Sequence, residues 1–119
     1  MHEMGVVINM LHSLERAAKQ NNVTAIASVS IELGEMTGVV PQYLLNCWPA
    51  AVDGTVCHRS ELYIKEVRAL ANCHECDGDY LLMDNLVDET PTCPHCGSTR
   101  WHLKEGDQLV ITEIAVKDD

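Results

Sequence analysis

Two cysteine pairs constrain this chain more than any other feature: Cys73-His74-Glu75-Cys76, then sixteen residues, then Cys93-Pro94-His95-Cys96-Gly97. Each pair sets two sulfurs at one tight turn. Two such turns facing each other present four thiolates tetrahedrally to a single cation. Gly97 helps the second turn close, because glycine accepts backbone angles that other residues resist. Four sulfurs fill every position of Zn(II) and leave none for water or substrate, so the pattern predicts a structural metal rather than a catalytic one. A rubredoxin-like iron centre uses the same ligands, but the ribbon spacing favours zinc. A pair of redox dithiols is the other reading, and it requires metal-free cysteines that cycle between dithiol and disulfide.

The segment between the pairs has few large apolar residues beyond Tyr80, Leu81, Leu82, Met83 and Leu86, so metal binding must supply much of its folding free energy. His74 and His95 lie inside the pairs, where they either offset thiolate charge, replace a sulfur, or stay solvated. There are six cysteines in all, and the N-terminus lacks the basic start and apolar stretch of an export signal. A disulfide framework therefore fits poorly, and the cytoplasm is the expected compartment. No apolar run is long enough to span a bilayer.

Outside the cysteine segment the chain alternates helix and strand signals. Val6, Val7, Met10, Leu11, Leu14, Ala17 and Ala18 recur every three or four residues, which predicts an amphipathic helix ending near Asn21-Asn22. Val29, Ile31 and Leu33 alternate with polar residues up to Gly34, as a half-buried strand does. Leu44, Leu45, Cys47, Trp48, Ala51 and Val52 suit a second helix with Pro41 in its first turn, kinked or restarting near Pro49. Leu62, Ile64 and Val67 signal a second strand. Val110, Thr112, Ile114 and Val116 signal a third after the Gly106-Asp107 turn.

The expected architecture is α+β: a three-stranded sheet with two helices, plus an inserted zinc-ribbon module. At 119 residues there is room for one core and a small appendage. The expected division is residues 1–70 and 107–119 as the α+β domain and residues 71–106 as the module.

The amino terminus carries the second candidate site. The free amine of Met1, the backbone nitrogen of His2 and the His2 imidazole can chelate one ion through fused rings, and planar nitrogen sites of this kind favour Ni(II) or Cu(II). The Glu3 backbone nitrogen completes a plane, and the Glu3 carboxylate can bind axially or orient the imidazole. The bland reading is a histidine at a frayed terminus. Cys57 and Cys47 read as small core residues, and His58, His12 and His102 as surface histidines. The formal charge of −10, from 18 acidic and 8 basic residues, disfavours nucleic acid as a partner. No nucleophile with its base and no phosphate-cradling glycine loop is visible, so an enzyme is not expected.

The opening Met1-His2-Glu3 ahead of an amphipathic helix, the run Val29-Ser30-Ile31-Glu32-Leu33-Gly34-Glu35, the Gly54-Thr55 pair and the late double cysteine pair together resemble the HypA/HybF family of hydrogenase nickel-incorporation proteins. The resemblance covers nearly the whole chain. It implies a nickel metallochaperone that delivers Ni(II) to the large subunit of [NiFe]-hydrogenase, and in some bacteria to urease. It implies an accessory GTPase and urease accessory proteins as partners, and a monomer or homodimer. It also implies nickel ligation by Met1, His2 and Glu3, with structural Zn(II) at Cys73, Cys76, Cys93 and Cys96. Two departures stand out. Counting back from Gly54-Thr55 puts Val40 where some members have a loop carboxylate that assists nickel, so either that carboxylate is dispensable or another group such as Glu35 or the Glu3 carboxylate takes the outer position. Histidines often follow a pair in the family, whereas here they lie within the pairs. The rival expectation is a zinc-ribbon interaction adaptor without a nickel site of its own.

Overall fold

A computed structural model describes residues 3–117; Met1 and His2, the first two of the expected nickel ligands, lie outside the described residues. Helix α1 spans Glu3–Gln20 and buries Val6, Val7, Met10, Leu11, Leu14 and Ala18, the stripe that its three-and-four spacing demands. Strand β1 (Ile26–Gly34) follows, then helix α2 (Pro41–Ala51) and strand β2 (Glu61–Val67). Strand β2 lies parallel to β1, so α2 is the crossover that parallel pairing requires. After β3 (Leu70–Cys73), β4 (Asp79–Leu81), the short pair β5 (Leu86–Val87) and β6 (Thr90–Pro91), and β7 (Trp101–Glu105), the chain returns as β8 (Leu109–Val116). Strand β8 pairs antiparallel with the other side of β1 and completes a sheet of order β2-β1-β8.

Two sequence expectations are corrected here. Of the two alternatives at Pro49, a kink or a restart, the restart is excluded: the second helix runs unbroken from Pro41 to Ala51. Pro49 sits in the last turn, so its missing N–H costs a single hydrogen bond, while the Val52 N–H still reaches the Trp48 carbonyl at 3.0 Å.

The face of β8 also differs. Leu109, Ile111 and Ile114 pack on the core, while Val110 and Val116 are exposed. The register places Glu113 opposite Ser30 and Ile111 opposite Ile31, which leaves Thr112 as an extra residue, and a bulge moves the inward side chains from one alternate set to the other. A matching irregularity at Ala27 lets Ile26 and Val29, three residues apart, both face inward.

One core lies between the helices and this sheet, built on Leu14, Val7, Ile26, Val29, Ile31, Leu33, Leu44, Trp48, Val52 and Cys57. The Trp48 indole N–H donates to the Ser60 hydroxyl at 3.0 Å, and the Val56 N–H donates to the Glu15 carboxylate at 3.0 Å. These bonds hold the α2–β2 connection to both helices.

A second, smaller sheet has the order β4-β3-β7, with a separate cluster of Ala69, Ala71, Cys73, Tyr80, Leu82 and Cys93, flanked by Trp101 and Leu103. The two sheets meet at a glycine junction. A Cβ on Gly34 would lie 2.3 Å from the Gly106 carbonyl oxygen, and one on Gly106 would lie 2.6 Å from Cα of Ala69. The Met36 N–H bonds the Gly106 carbonyl at 2.8 Å, and the Ala69 N–H bonds the Glu35 carboxylate at 2.9 Å. Arg68 reaches Asp84 through both terminal guanidinium nitrogens, at 3.0 and 2.8 Å, and Glu35 at 3.7 Å. The described residues extend 57 × 25 × 18 Å with a radius of gyration of 17.9 Å. A chain of this length packed as a single ball would have about 13.5 Å, so the molecule is elongated.

Candidate metal centre

The two cysteine turns are built alike. In each, the N–H of the first cysteine bonds the carbonyl five residues on (Cys73 to Gly78 and Cys93 to Ser98, both 2.9 Å), and its own carbonyl accepts from the N–H four residues on (Asp77 at 3.0 Å, Gly97 at 2.9 Å). The fourth residue after each leading cysteine must therefore adopt a left-handed backbone: Asp77 has φ 61° and Gly97 φ 78°. Only the glycine of this pair announces the turn in sequence. Asp77 tolerates the angle because a short polar side chain can bond locally, and the Asn72 amide donates to both its carbonyl at 3.0 Å and its carboxylate at 3.3 Å.

This symmetry brings the sulfurs together. All four Sγ atoms of Cys73, Cys76, Cys93 and Cys96 lie within 4.8 Å of one another, and the pairs formed across the two turns, Cys73 with Cys96 and Cys76 with Cys93, stand at 3.6 Å. Disulfide sulfurs would be about 2.05 Å apart, so these are free thiols. Four sulfurs about 2.3 Å from a central Zn(II) would be about 3.8 Å apart, so the donor set and its spacing fit a tetrahedral thiolate site. Cys73 and Cys93 are buried, and Cys76 and Cys96 face solvent, so the cluster lies at the surface end of the small sheet.

The thiols do not titrate as four independent groups. The Cys76 N–H does most to hold the Cys73 thiol down, to about 6, and the Glu75 N–H and the Cys96 and Cys76 thiols add to it against the effect of burial. At Cys96 the Ser98 N–H lowers the value, but Cys73, burial, and the thiols of Cys76 and Cys93 outweigh it and push the group up to about 12. Cys76 is raised as well: burial and its neighbours Cys93 and Cys73 overcome the Gly78 N–H. Packed this closely, the Cys76 and Cys96 sulfurs retain their protons at neutral pH unless a cation takes their place, whereas Cys73 releases its own. Tyr80 packs beneath the cluster with its hydroxyl buried and, among the described residues, without a hydrogen-bond partner. Burial first, and then the charge of the cysteines, raises its pKa and keeps it neutral beside an anionic centre.

The histidines within the pairs are exposed. His95 Nε2 lies 3.4 Å from the Asp79 carbonyl, and its ring occupies the space a side chain at Gly78 would need. His74 Nε2 stands 3.1 Å from Nδ1 of His102, a proximity that spacing along the chain did not signal. Glu3 is the first residue of α1 and lies in its first turn. Val40 precedes α2 as an exposed residue without a side-chain cap, and Glu35 is engaged by the Ala69 N–H and Arg68 at the junction. Cys57 is fully buried and His58 is exposed, 3.1 Å from the Asp53 carboxylate, both as expected from sequence. No helix among the described residues is long and apolar enough to cross a membrane.

Comparison with known proteins gives one consistent result. The family model for HypA, described as hydrogenase/urease nickel incorporation, metallochaperone, matches residues 1–116. The hydrogenase maturation factor HypA of Streptomyces avermitilis is 36% identical over 121 residues, covering 99% of this chain and 88% of that protein. That of Chlorobium limicola is 29% identical over 118 residues, covering 99% and 98%. Among solved structures, the solution structure of the Ni metallochaperone HypA from Helicobacter pylori superposes with a TM-score of 0.68 at 19% identity over all of both chains. A second HypA solution structure gives 0.71 at 21% identity, covering 98% and 97%. At these identities the structural likeness establishes the fold, and the family match rests on sequence.

Proposed function

This chain belongs to the HypA family of hydrogenase and urease nickel-incorporation metallochaperones, carriers rather than enzymes, and we propose that it holds Ni(II) at its own amino terminus. The proposed ligands are the Met1 amine, the backbone and imidazole nitrogens of His2, and the Glu3 backbone nitrogen. The observation that carries this reading is the family match beginning at residue 1, on a terminus whose His2 supplies a chelating imidazole next to a free amine. Glu35 is engaged at the sheet junction and Val40 offers no donor, so the Glu3 carboxylate is the acidic group left to take the outer position.

Cys73, Cys76, Cys93 and Cys96 would hold Zn(II) as a structural ion. Bound there, zinc supplies a cross-link between two turns that share little apolar core, and residues 71–106 form the module it organises. The proposed recipient is the hydrogenase large subunit, with an accessory GTPase and urease accessory proteins as further partners. The His2 imidazole must be neutral to ligate, so terminal nickel should be lost as pH falls through about 6.5.

The test is a Ni(II) titration of zinc-loaded protein with its native terminus, beside His2→Ala and a version with extra residues before Met1. Both changes should remove the tightest nickel equivalent and leave one zinc per chain. If both altered proteins bind that equivalent as the native protein does, the terminal site is wrong and the zinc-ribbon adaptor becomes the better description.

A further inference from the structure

The His74–His102 pair belongs to neither of the proposed ligand sets, although His74 sits within the Cys73–Cys76 turn, and it has a geometry of its own. Strands β3 and β7 pair antiparallel with Cys73 opposite Trp101 and Asn72 opposite His102, and the His74 N–H continues the ladder to the Arg100 carbonyl at 3.0 Å. Cys73 and Trp101 turn towards the small core. Their neighbours His74 and His102 therefore both turn outwards, since alternate residues of a strand take opposite faces. The result is two exposed imidazoles on adjacent strands, with ring centroids 5.1 Å apart, planes tilted by 38°, and Nε2 of His74 3.1 Å from Nδ1 of His102.

That distance suits more than a hydrogen bond. Two imidazole nitrogens each about 2.0–2.1 Å from one cation stand about 2.9 Å apart at a right angle and about 3.4 Å apart at the tetrahedral angle. The observed separation falls between the two. The backbone on both sides is held by the ladder, so rotation of the two rings about their side-chain bonds, with loss of the shared proton, is what uptake of a cation requires.

The nearby carboxylates are occupied. Asp79 bonds Lys104 at 2.8 Å and the Asn72 amide at 2.8 Å, and Glu75 bonds Arg100 at 2.7 Å. A cation at the histidines would therefore take two nitrogens from the protein and water for the rest.

We propose that His74 and His102 form a second, exchangeable transition-metal site: a two-imidazole clamp for Cu(II) or Ni(II), separate from the four cysteines and from the amino terminus. Two neutral nitrogens with open positions select late first-row divalent cations, in the order Cu(II) above Ni(II). With so few protein ligands, the ion exchanges readily. In a nickel carrier such a clamp provides a transient holding point on the face opposite the small core. The inference does not depend on the terminal chelate, and its test excludes it.

The experiment uses the full zinc-loaded chain with extra residues before Met1, which removes the terminal amine chelate, and Cu(II) as the probe. Electron paramagnetic resonance of the one-to-one complex should show two equivalent nitrogens. His102→Gln and His74→Gln should each weaken binding at least tenfold and reduce the pattern to one nitrogen, and Ni(II) should compete for the same equivalent. His12→Gln and His58→Gln should change nothing. Zinc content of one per chain verifies the fold of each variant. His74 adjoins a cysteine of the cluster, so His102→Gln decides alone if His74→Gln loses zinc. Absence of a two-nitrogen signal in the parent, or its persistence in His102→Gln, overturns the proposal and leaves the pair as an ordinary imidazole hydrogen bond.

Discussion

Cys57 is the residue where burial has the clearest titration consequence. Its side chain is fully enclosed in the larger core, and burial first, then the charge of Glu15, raises its thiol to about 11 from an ordinary value of 9.0. Below pH 9 the thiol is neutral in both folded and unfolded chains and contributes no pH dependence. Between about 9 and 11 the unfolded chain releases the proton and the folded chain keeps it, so stability falls as pH rises through that window, by on the order of 2–3 kcal/mol at its upper end. Urea unfolding of zinc-loaded protein at pH 8 and pH 10 should show about half of this loss, on the order of 1 kcal/mol, and Cys57→Ala should flatten that part of the slope. The sequence identified Cys57 as core because adjacent residues in extended chain face opposite ways, and His58 duly points out. It did not identify Asp77 as the counterpart of Gly97. A left-handed aspartate carries no compositional mark, and its role is visible only when the two turns are laid side by side.

Among the elements, α1 was legible almost to the residue because an amphipathic helix on a single core repeats its apolar stripe without interruption. Strand β8 was legible as a strand but not as a face: the bulge at Thr112 brings Leu109, Ile111 and Ile114 inwards, and a two-residue period cannot register a displaced residue. The connection between the two sheets is set by close backbone approach at Gly34, Gly106 and Ala69. Gly106 combines φ 100° with a position where any Cβ meets the backbone of Ala69. Gly106→Ala should therefore cost about 3 kcal/mol through strain and forced displacement, measured as a lowered urea midpoint. Gly5→Ala, in α1 with open space around its Cβ, should be neutral or stabilising in the same assay.

The whole molecule places a well-filled α+β core beside a small sheet whose buried cluster contains two of its own candidate metal ligands. Ala69, Ala71, Tyr80 and Leu82 supply little apolar area for ordering a segment of this length, so a cation bound at the four cysteines would contribute the rest. Chelation of zinc should therefore abolish amide protection in β3, β4 and β7 while β1, β2 and α1 keep theirs, measured by hydrogen exchange. Zinc uptake should release protons at neutral pH, because Cys96, held up to about 12, is protonated in the metal-free protein. Affinity for zinc should accordingly fall as pH falls. Loss of protection throughout the chain on chelation would mean that the Gly34–Gly106 junction couples the two cores into one folding unit.

By itself the sequence determined both helices, the three strands of the larger sheet, the α+β class and the four-cysteine pattern, because helix stripes, strand alternation and cysteine-turn spacing are local patterns that a single segment carries complete, whereas the short strands of the small sheet carry no such pattern. The tertiary structure alone decided which face of β8 is buried, where Glu35 spends its carboxylate, and that His74 meets His102. Each of these depends on the register between strands distant in the chain, and register is fixed by pairing and packing, which no single segment encodes.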